Sequence, residues 1–454
     1  MNAATLEPLF ADHSVVVDGD RRIDDVGDRA GRVAAGLREQ GVRRGDSVAF
    51  QLGNSAEAVV AYRACWRLGA RAVAIHHRAA PAETDHLISQ VEPTLVLRDT
   101  GSLHELERAE PSPIEAEPDD EAVVLFTAGS TGRPKGVRHT QRALAYKAAL
   151  MQQVHGLTPD DVVLMPAPLA HISGLLNGVL VPGVTGMTTV LMGRWSPSEA
   201  LALIEREHVS FMVGPPTFFV DLMEDPSFRR DGVKSLRLVS TGGAGVAPTF
   251  VTRASRTLGA LVKRSYGSTE APTVATTYSD EPIDPHLDGH VIGAAELRVV
   301  DGELLVRGPE LFLGYLDGEQ TAAAMTDDGW YRTGDLAHIE GAGWLLITGR
   351  LNDIVIRAGE NVSIREVEDT LHAHPNVAAA SVVGVPHDRL GEQLAAAVVT
   401  NGQPFTLEEC RAWFDQRGVT KFKTPEIVVV VDALPLLPTG KVDATAVRSL
   451  VRRA

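Results

Sequence analysis

From Val162 to Gly193 the chain carries no Asp, Glu, Lys or Arg. A stretch like this belongs in a protein interior or in a bilayer. Pro166, Pro168 and Pro182 interrupt it, as do Gly174, Gly178, Gly183 and Gly186. Hydrocarbon tolerates few such breaks unless neighbouring groups restore the lost backbone bonds. The segment therefore reads as buried strand, loop, helix and strand, which requires a core large enough to enclose it. The chain has 454 residues, 44% apolar and 22% charged, so it can build that core as two or three domains. Disordered and fibrous architectures are excluded on the same grounds.

Lys plus Arg number 43 and Asp plus Glu 59, for a formal charge of −16. A surface this acidic is poorly suited to nucleic acid or to an anionic membrane. Small anions remain accessible to local clusters of cations. The cysteines are Cys65 and Cys410, too few for a disulfide framework, and the first residues lack a basic-then-apolar leader. The expected setting is the cytoplasm, without nucleic acid or integral membrane association.

Strand and helix alternate in the first part of the chain. Residues 23–40 carry Ile23, Val26, Ala30, Val33 and Leu37 at helical spacing, with Gly41 as the stop. Ser47–Leu52 reads as a buried strand, Ala56–Leu68 as a helix and Ala72–Ile75 as a strand. Residues 107–121 are acidic and Pro-rich, and read as a surface connection between two α/β layers. The alternation resumes with a strand at Val123–Phe126, a Gly-rich turn and a helix at Gln141–Gln153, and runs to about Thr277. Residues 291–349 hold short strands and Gly-rich turns, which suit a small β subdomain. The last hundred residues have their own pattern, with strands at Val377–Val385 and Leu394–Val399 and a helix at Leu407–Arg417. The expected fold class is α/β: a large N-terminal domain over 1–349, a hinge at 350–352, and a mobile, smaller α+β lid over 353–454.

The strongest chemical signal is Phe126-Thr-Ala-Gly-Ser-Thr-Gly-Arg-Pro-Lys-Gly-Val137. Gly129, Gly132 and Gly136 permit close backbone approach. Thr127, Ser130 and Thr131 offer hydroxyls and Lys135 a cation, a set suited to cradling a polyphosphate. The spacing is not that of the common P-loop.

This segment resembles the phosphate loop of the AMP-forming adenylating enzymes: acyl-CoA synthetases, stand-alone adenylation domains and beetle luciferases. Further matches follow in the family's order. They are Tyr266-Gly-Ser-Thr-Glu270, Tyr331-Arg-Thr-Gly-Asp-Leu336, Gly349-Arg-Leu-Asn-Asp353 running on to Gly359 and Glu366, and Pro438-Thr-Gly-Lys441. Pro168-Leu-Ala-His171-Ile-Ser-Gly174 resembles the motif beside the acyl pocket. The pattern is nearest to acyl- or aryl-CoA synthetases.

The resemblance implies a role for each match. Thr127, Ser130, Thr131, Gly132 and Lys135 hold the ATP phosphates. Gly242, Gly243 and Ala244 line the adenine and acyl sites, with Tyr266, Gly267 and Ser268 beside them. The flat ring of Tyr266 suits adenine, or else a core position. Thr269 donates to a phosphate, and Glu270 is a hard oxygen ligand for Mg²⁺. Asp335 accepts ribose hydroxyls, Arg350 contacts the ribose or forms a structural ion pair, and Asn361 is an adenine candidate by position. Lys441 offsets charge on the α-phosphorus. Seven of the cationic residues are lysines and the rest arginines, so a lysine after Gly440 suits a compact, movable charge. His171 gates the thiol tunnel or is a core histidine, Gly359 borders the tunnel, and Lys421 and Lys423 meet CoA phosphates or solvent.

The implied reaction has two halves. A carboxylate attacks the ATP α-phosphate, giving acyl-AMP and pyrophosphate, and a thiol then displaces AMP. The family turns its C-terminal domain between the halves, at the position of residue 352. The cofactors are ATP, Mg²⁺ and coenzyme A, the partner is a small carboxylic acid, and a homodimer is compatible with the resemblance. Asn352, Ala128, Ala170 and Ala358 depart from common family residues, and the N-terminal part is short. Apart from Asp221, no acidic residue flanks the expected acyl pocket, so an uncharged aryl or short-to-medium aliphatic acid is expected. Two alternatives stay open: an enzyme loading a carrier-protein thiol, and a non-catalytic nucleotide-binding relative.

Overall fold

A computed structural model describes residues 5–10, 14–127, 134–341, 343–357, 360–387, 390–437 and 441–453, with backbone alone at 352, 356, 360, 361 and 391. Three sheets organise these residues. A six-stranded sheet is built on four parallel strands: Ser47–Phe50, Arg71–Ala74, Leu95–Leu97 and Glu121–Thr127. Lys135–Thr140 adds antiparallel to it, and Gly314–Tyr315 closes the edge. A thirteen-stranded sheet has a parallel half formed by Val15–Asp18, Thr188–Leu191, Val162–Met165, Phe211–Gly214, Leu238–Gly242 and Leu261–Tyr266. The third sheet lies in the C-terminal part, around Val377–His387 and Gly391–Thr400.

The helices have local causes. Ser55 caps Ala56–Leu68 by accepting from the Ala58 amide, and Gly69 ends it at φ 70°. Thr140 and Gly156 do the same for Gln141–His155. Thr406 and Glu409 form a reciprocal capping box on Leu407–Gln416. The uncharged stretch is interior: two of its strands stand side by side in the large sheet, and a helix over 172–185 packs between them and Gln141–His155. Among the described residues no helix is long and apolar enough to cross a membrane.

Four expectations need correction. The helix expected over 23–40 begins only at Val26, because Arg21–Ile23 pairs with Val15–Asp18 as a strand. The connection at 107–121 does not join two layers, because Leu95–Leu97 and Glu121–Thr127 belong to the same sheet. The Gly-rich turn leads first into strand Lys135–Thr140 and only then into the helix. The small β subdomain expected over 291–349 is built onto the large sheet rather than around a sheet of its own. Ala275–Thr276 and His290–Val291 connect its strands, rung by rung, to the large sheet. Between Trp344–Arg350 and the C-terminal sheet the chain makes one 3₁₀ turn, Leu351–Asp353.

Candidate active site

The hairpin Glu121–Thr127/Lys135–Thr140 sets Thr127 directly opposite Lys135. Ser130, Thr131 and Gly132 lie outside the described residues, as do Ala128, Ala358 and Gly359. The Lys135 ammonium rests 4.9 Å above the Tyr315 ring, a contact worth about 0.5–2 kcal/mol. Tyr315 sits there because its short strand pairs with Val137. Its hydroxyl donates to Glu270 Oε1 at 2.8 Å. One ring thus connects the lysine of the phosphate loop to the carboxylate expected to hold the metal.

Glu270 belongs to a tight loop that leaves strand Leu261–Tyr266. A Cβ on Gly267 would lie 2.2 Å from the Thr273 amide nitrogen, so only glycine lets the loop close. Val274 N donates back to Tyr266 O at 2.9 Å, and Ser268 is used inside the turn, its Oγ accepting from Ala271 N. The Thr269 carbonyl accepts from His139 Nε2 at 2.7 Å. Burial pushes His139 down to about 4, so it is neutral, and the contact assigns its proton to Nε2.

The nucleotide side is built on a second hairpin, Tyr331–Glu340/Trp344–Arg350, whose register sets Asp335 against Arg350. Asp335 is 4% exposed. Its Oδ1 accepts from Arg350 Nε at 2.8 Å and its Oδ2 from the Tyr266 hydroxyl at 2.6 Å. Each oxygen keeps a lone pair, so the carboxylate can still accept further hydroxyls. Arg350 is the partner in an ion pair as well as a candidate ribose contact.

Lys441 completes the cluster. A Cβ on Gly243, at φ +73°, would stand 3.4 Å from Lys441 Cε and 3.8 Å from Nζ. Gly242 is more tightly constrained, because a Cβ there would strike the Ser265 carbonyl at 2.2 Å, and Ala244 is exposed beside it. Lys441 is open to water, yet enough protein surrounds its ammonium to lower its pKa. Lost hydration is the main cause and Arg350 adds to it, while Asp335 and Glu270 pull the other way. The ammonium thus lies in the field of two carboxylates and beside a bare glycine backbone, a geometry suited to charge growing at phosphorus.

The family described as AMP-binding enzyme matches residues 9–316, and its C-terminal domain matches 366–441. The chain belongs to the AMP-binding enzymes. A medium-chain fatty-acid–CoA ligase from Escherichia coli (strain K12) is 34% identical, over 91% of this chain and 83% of that relative. A salicyl-AMP ligase / salicyl-S-ArCP synthetase from Mycobacterium tuberculosis (strain ATCC 25618 / H37Rv) is 32% identical, over 92% and 83%. The structure of ATP-bound MatB from Rhodopseudomonas palustris superposes with a TM-score of 0.92 at 29% identity, over 99% of both chains.

The remaining candidates of this AMP-binding enzyme divide. His171 immediately precedes the helix that begins at Ile172, which widens to π geometry over Leu176–Leu180. Its ring is 5.7 Å from that of His76. Burial, then His76 and Lys441, hold His171 at about 4, so it contributes no charge at neutral pH. Lys423 is engaged elsewhere: its ammonium bonds both oxygens of Glu366, at 2.6 and 2.7 Å. Lys421 begins the same 3₁₀ turn and is exposed. Asn361 lies in strand Glu360–Ser363 opposite Ile356, and its side chain is outside the description. Asp221 accepts from Trp195 Nε1 at 2.8 Å, so its carboxylate already has a partner.

Sequence reasoning missed Tyr315, His139 and Asn54. Asn54 Nδ2 donates to the Ala167 and Met192 carbonyls at 2.9 and 3.0 Å, and its Oδ1 accepts from Leu169 N at 2.8 Å. Tyr62 donates to the Leu169 carbonyl at 2.8 Å. Together they fix the chain that leads into His171. No local pattern marks these residues, because each partner is distant in sequence.

Proposed function

We propose that this chain is an ATP-dependent carboxylate–CoA ligase working through an acyl-adenylate. The carrying observation is the approach of Lys441 to Gly243, in the field of Glu270 and Asp335. The acid's carboxylate oxygen forms a bond to the ATP α-phosphorus, and the bond to pyrophosphate breaks. The thiol sulfur of CoA then bonds the acyl carbon, AMP leaves, and the thiol proton passes to solvent. The carboxylate is already ionised at neutral pH, so alignment and charge stabilisation carry the first step. Lys135 and Lys441 supply positive charge. Glu270, buried and oriented by Tyr315, is a hard oxygen donor of the kind Mg²⁺ takes, and Mg²⁺ would neutralise the phosphates.

The acid we infer is uncharged beyond its carboxylate, aryl or short-to-medium aliphatic. Apart from Asp221, which holds the Trp195 indole, no acidic residue flanks the stretches expected to line the acyl pocket, so a substrate ammonium would have little to pair with. The name of the Escherichia coli relative supports CoA as acceptor. We take 1–349 as the nucleotide and acyl domain, 350–352 as the hinge and 353–454 as the lid. Cys65 and Cys410 are both free and buried, which fits a reducing cytoplasm.

The test is pyrophosphate release with ATP, Mg²⁺ and a panel of carboxylic acids, with and without CoA. CoA-dependent turnover that is lost in Lys441→Ala supports the reading. Adenylation with no thioester to CoA points to a carrier-protein thiol. ATP binding with no acid activated overturns it.

A further inference from the structure

Lys441 meets Gly243 because the C-terminal part is seated on the rest of the chain in one orientation. The covalent connection does little to fix that orientation. It is a single 3₁₀ turn, Leu351–Asp353, with strand Trp344–Arg350 before it and strand Ile354–Arg357 after it. A few backbone positions can absorb a large rotation, so contacts outside the turn must set the angle.

One side chain bridges the turn. Ser363 ends strand Glu360–Ser363 and stands opposite Ile354, the first residue beyond the turn. Its hydroxyl donates to the Thr348 carbonyl at 2.9 Å. The bond joins the strand that leads into the hinge to the first hairpin that leaves it. Gly349 gives the hydroxyl its room, since a Cβ there would lie 2.9 Å from Ser363 Oγ.

The same hydroxyl has a second task. Ser363 is the N-cap of helix Ile364–His372, and its Oγ accepts from Glu366 N. That distance is 3.5 Å, at the outer limit of a hydrogen bond, against 2.9 Å to Thr348. A serine placed for capping alone would keep its shorter bond inside the helix. Here the single hydroxyl proton and the better geometry go outward, to the other part of the chain. The helix lies on the same boundary. It packs against strand Trp344–Arg350, and its Asp369 is within electrostatic reach of Arg264 and Asp288. Those two form a buried ion pair at 2.7 Å, and Asp288 also accepts from the Ile347 amide at 2.8 Å.

We propose that Ser363 is a positioning residue for Lys441: its bond to Thr348 latches the C-terminal part in the present orientation and breaks when that part turns about 350–352. This rests on the ligase reading and the hinge given above. Thr348 stays with the N-terminal strand while Ser363 moves with the lid, so the bond cannot survive a large rotation. The latch favours the half-reaction that uses Lys441 and opposes the one that does not.

The experiment compares wild type with three variants. Ser363→Ala removes both bonds. Ser363→Asp keeps an acceptor for the helix amides but has no proton for Thr348, and Ser363→Thr keeps both. Spin labels on Glu83→Cys and Gln403→Cys, both exposed positions, report the distance between the two parts with MgATP present; Cys65 and Cys410 are buried. Ser363→Ala and Ser363→Asp should lower the ratio of seated to turned molecules about three- to tenfold, the scale of one hydrogen bond between neutral groups. Adenylation, read as pyrophosphate release without CoA, should slow by up to that factor, while transfer from supplied acyl-AMP to CoA holds or quickens. Ser363→Thr should match wild type in all three readouts. An unchanged ratio in Ser363→Ala and Ser363→Asp overturns the proposal. A loss in Ser363→Ala that is absent in Ser363→Asp also overturns it, by assigning the serine to its helix, as does equal slowing of both halves. The label distances need no turnover, so a wild type that activates no acid refutes the ligase reading while the ratio still judges Ser363. One label distance throughout, with both halves running, refutes the hinge and the latch together.

Discussion

Tyr266 and Asp335 are 69 residues apart in sequence and are joined by a 2.6 Å hydrogen bond from the phenol to Oδ2. The bond links the ring expected under adenine to the carboxylate expected under ribose, so one contact aligns both halves of a nucleoside site. Tyr266→Phe keeps the ring and removes the bond. KM for ATP should rise about tenfold, the scale of a hydrogen bond to a charged acceptor, with kcat little changed. Initial rates of pyrophosphate release against ATP measure it, and an unchanged KM would assign Tyr266 to packing alone.

Lys441→Ala should separate the two half-reactions. Adenylation should fall about 10²–10³-fold, as for loss of one oriented donor to a developing oxyanion. Transfer from supplied acyl-AMP to the thiol should survive. Rapid-quench measurement of each half, with synthetic acyl-adenylate for the second, tests this. Equal losses in both halves would place Lys441 in a structural role.

Gly267→Ala should disable the site without unfolding the chain. The added methyl would meet the Thr273 amide at 2.2 Å, so the Tyr266–Val274 loop must open. That displaces Glu270 and Thr273 together. The expected loss in kcat/KM is at least about 10²-fold, the equivalent of roughly 3 kcal/mol. Circular dichroism should show the secondary structure intact.

Glu368 gives the C-terminal part a pH dependence. Burial pushes its carboxyl from 4.5 up to about 7, and Asp369 and Asp353 push the same way, against the Val382 amide that bonds it at 2.8 Å. A folded-state value above the unfolded one means that the folded chain binds the extra proton. The stabilisation is thus complete below about pH 4.5 and is lost as pH rises through 7. Glu368→Gln should flatten this slope and raise the melting temperature at pH 8. Thermal melts between pH 5 and 8 decide it, and parallel curves for variant and wild type would exclude Glu368 as the source.

What the sequence revealed was local. Ala56–Leu68 could be read to the residue because Ser55 and Gly69 mark its ends within one turn. Strand Lys135–Thr140 could not, because Lys135, Arg138, His139 and Thr140 show no apolar alternation and the strand exists through its partner Glu121–Thr127. The continuity of the large sheet depends on two-residue strands, Ala275–Thr276 and His290–Val291, too short to leave a pattern. The site divides in the same way. Its motifs stand in the sequence, but the contacts that aim them span 45 residues from Tyr315 to Glu270 and 130 from His139 to Thr269.

Gly243 meets Lys441 without a side chain. On an exposed loop an alanine at φ +73° costs only about 1–2 kcal/mol of backbone strain. Most such variants would therefore express, fold and melt almost as the parent does, yet set a methyl group in van der Waals contact with the lysine. A survey that scores abundance or thermal stability would class the position as tolerant and would miss any change in how the lysine sits, which only turnover reads. Natural or engineered variation here should be sorted by catalysis first.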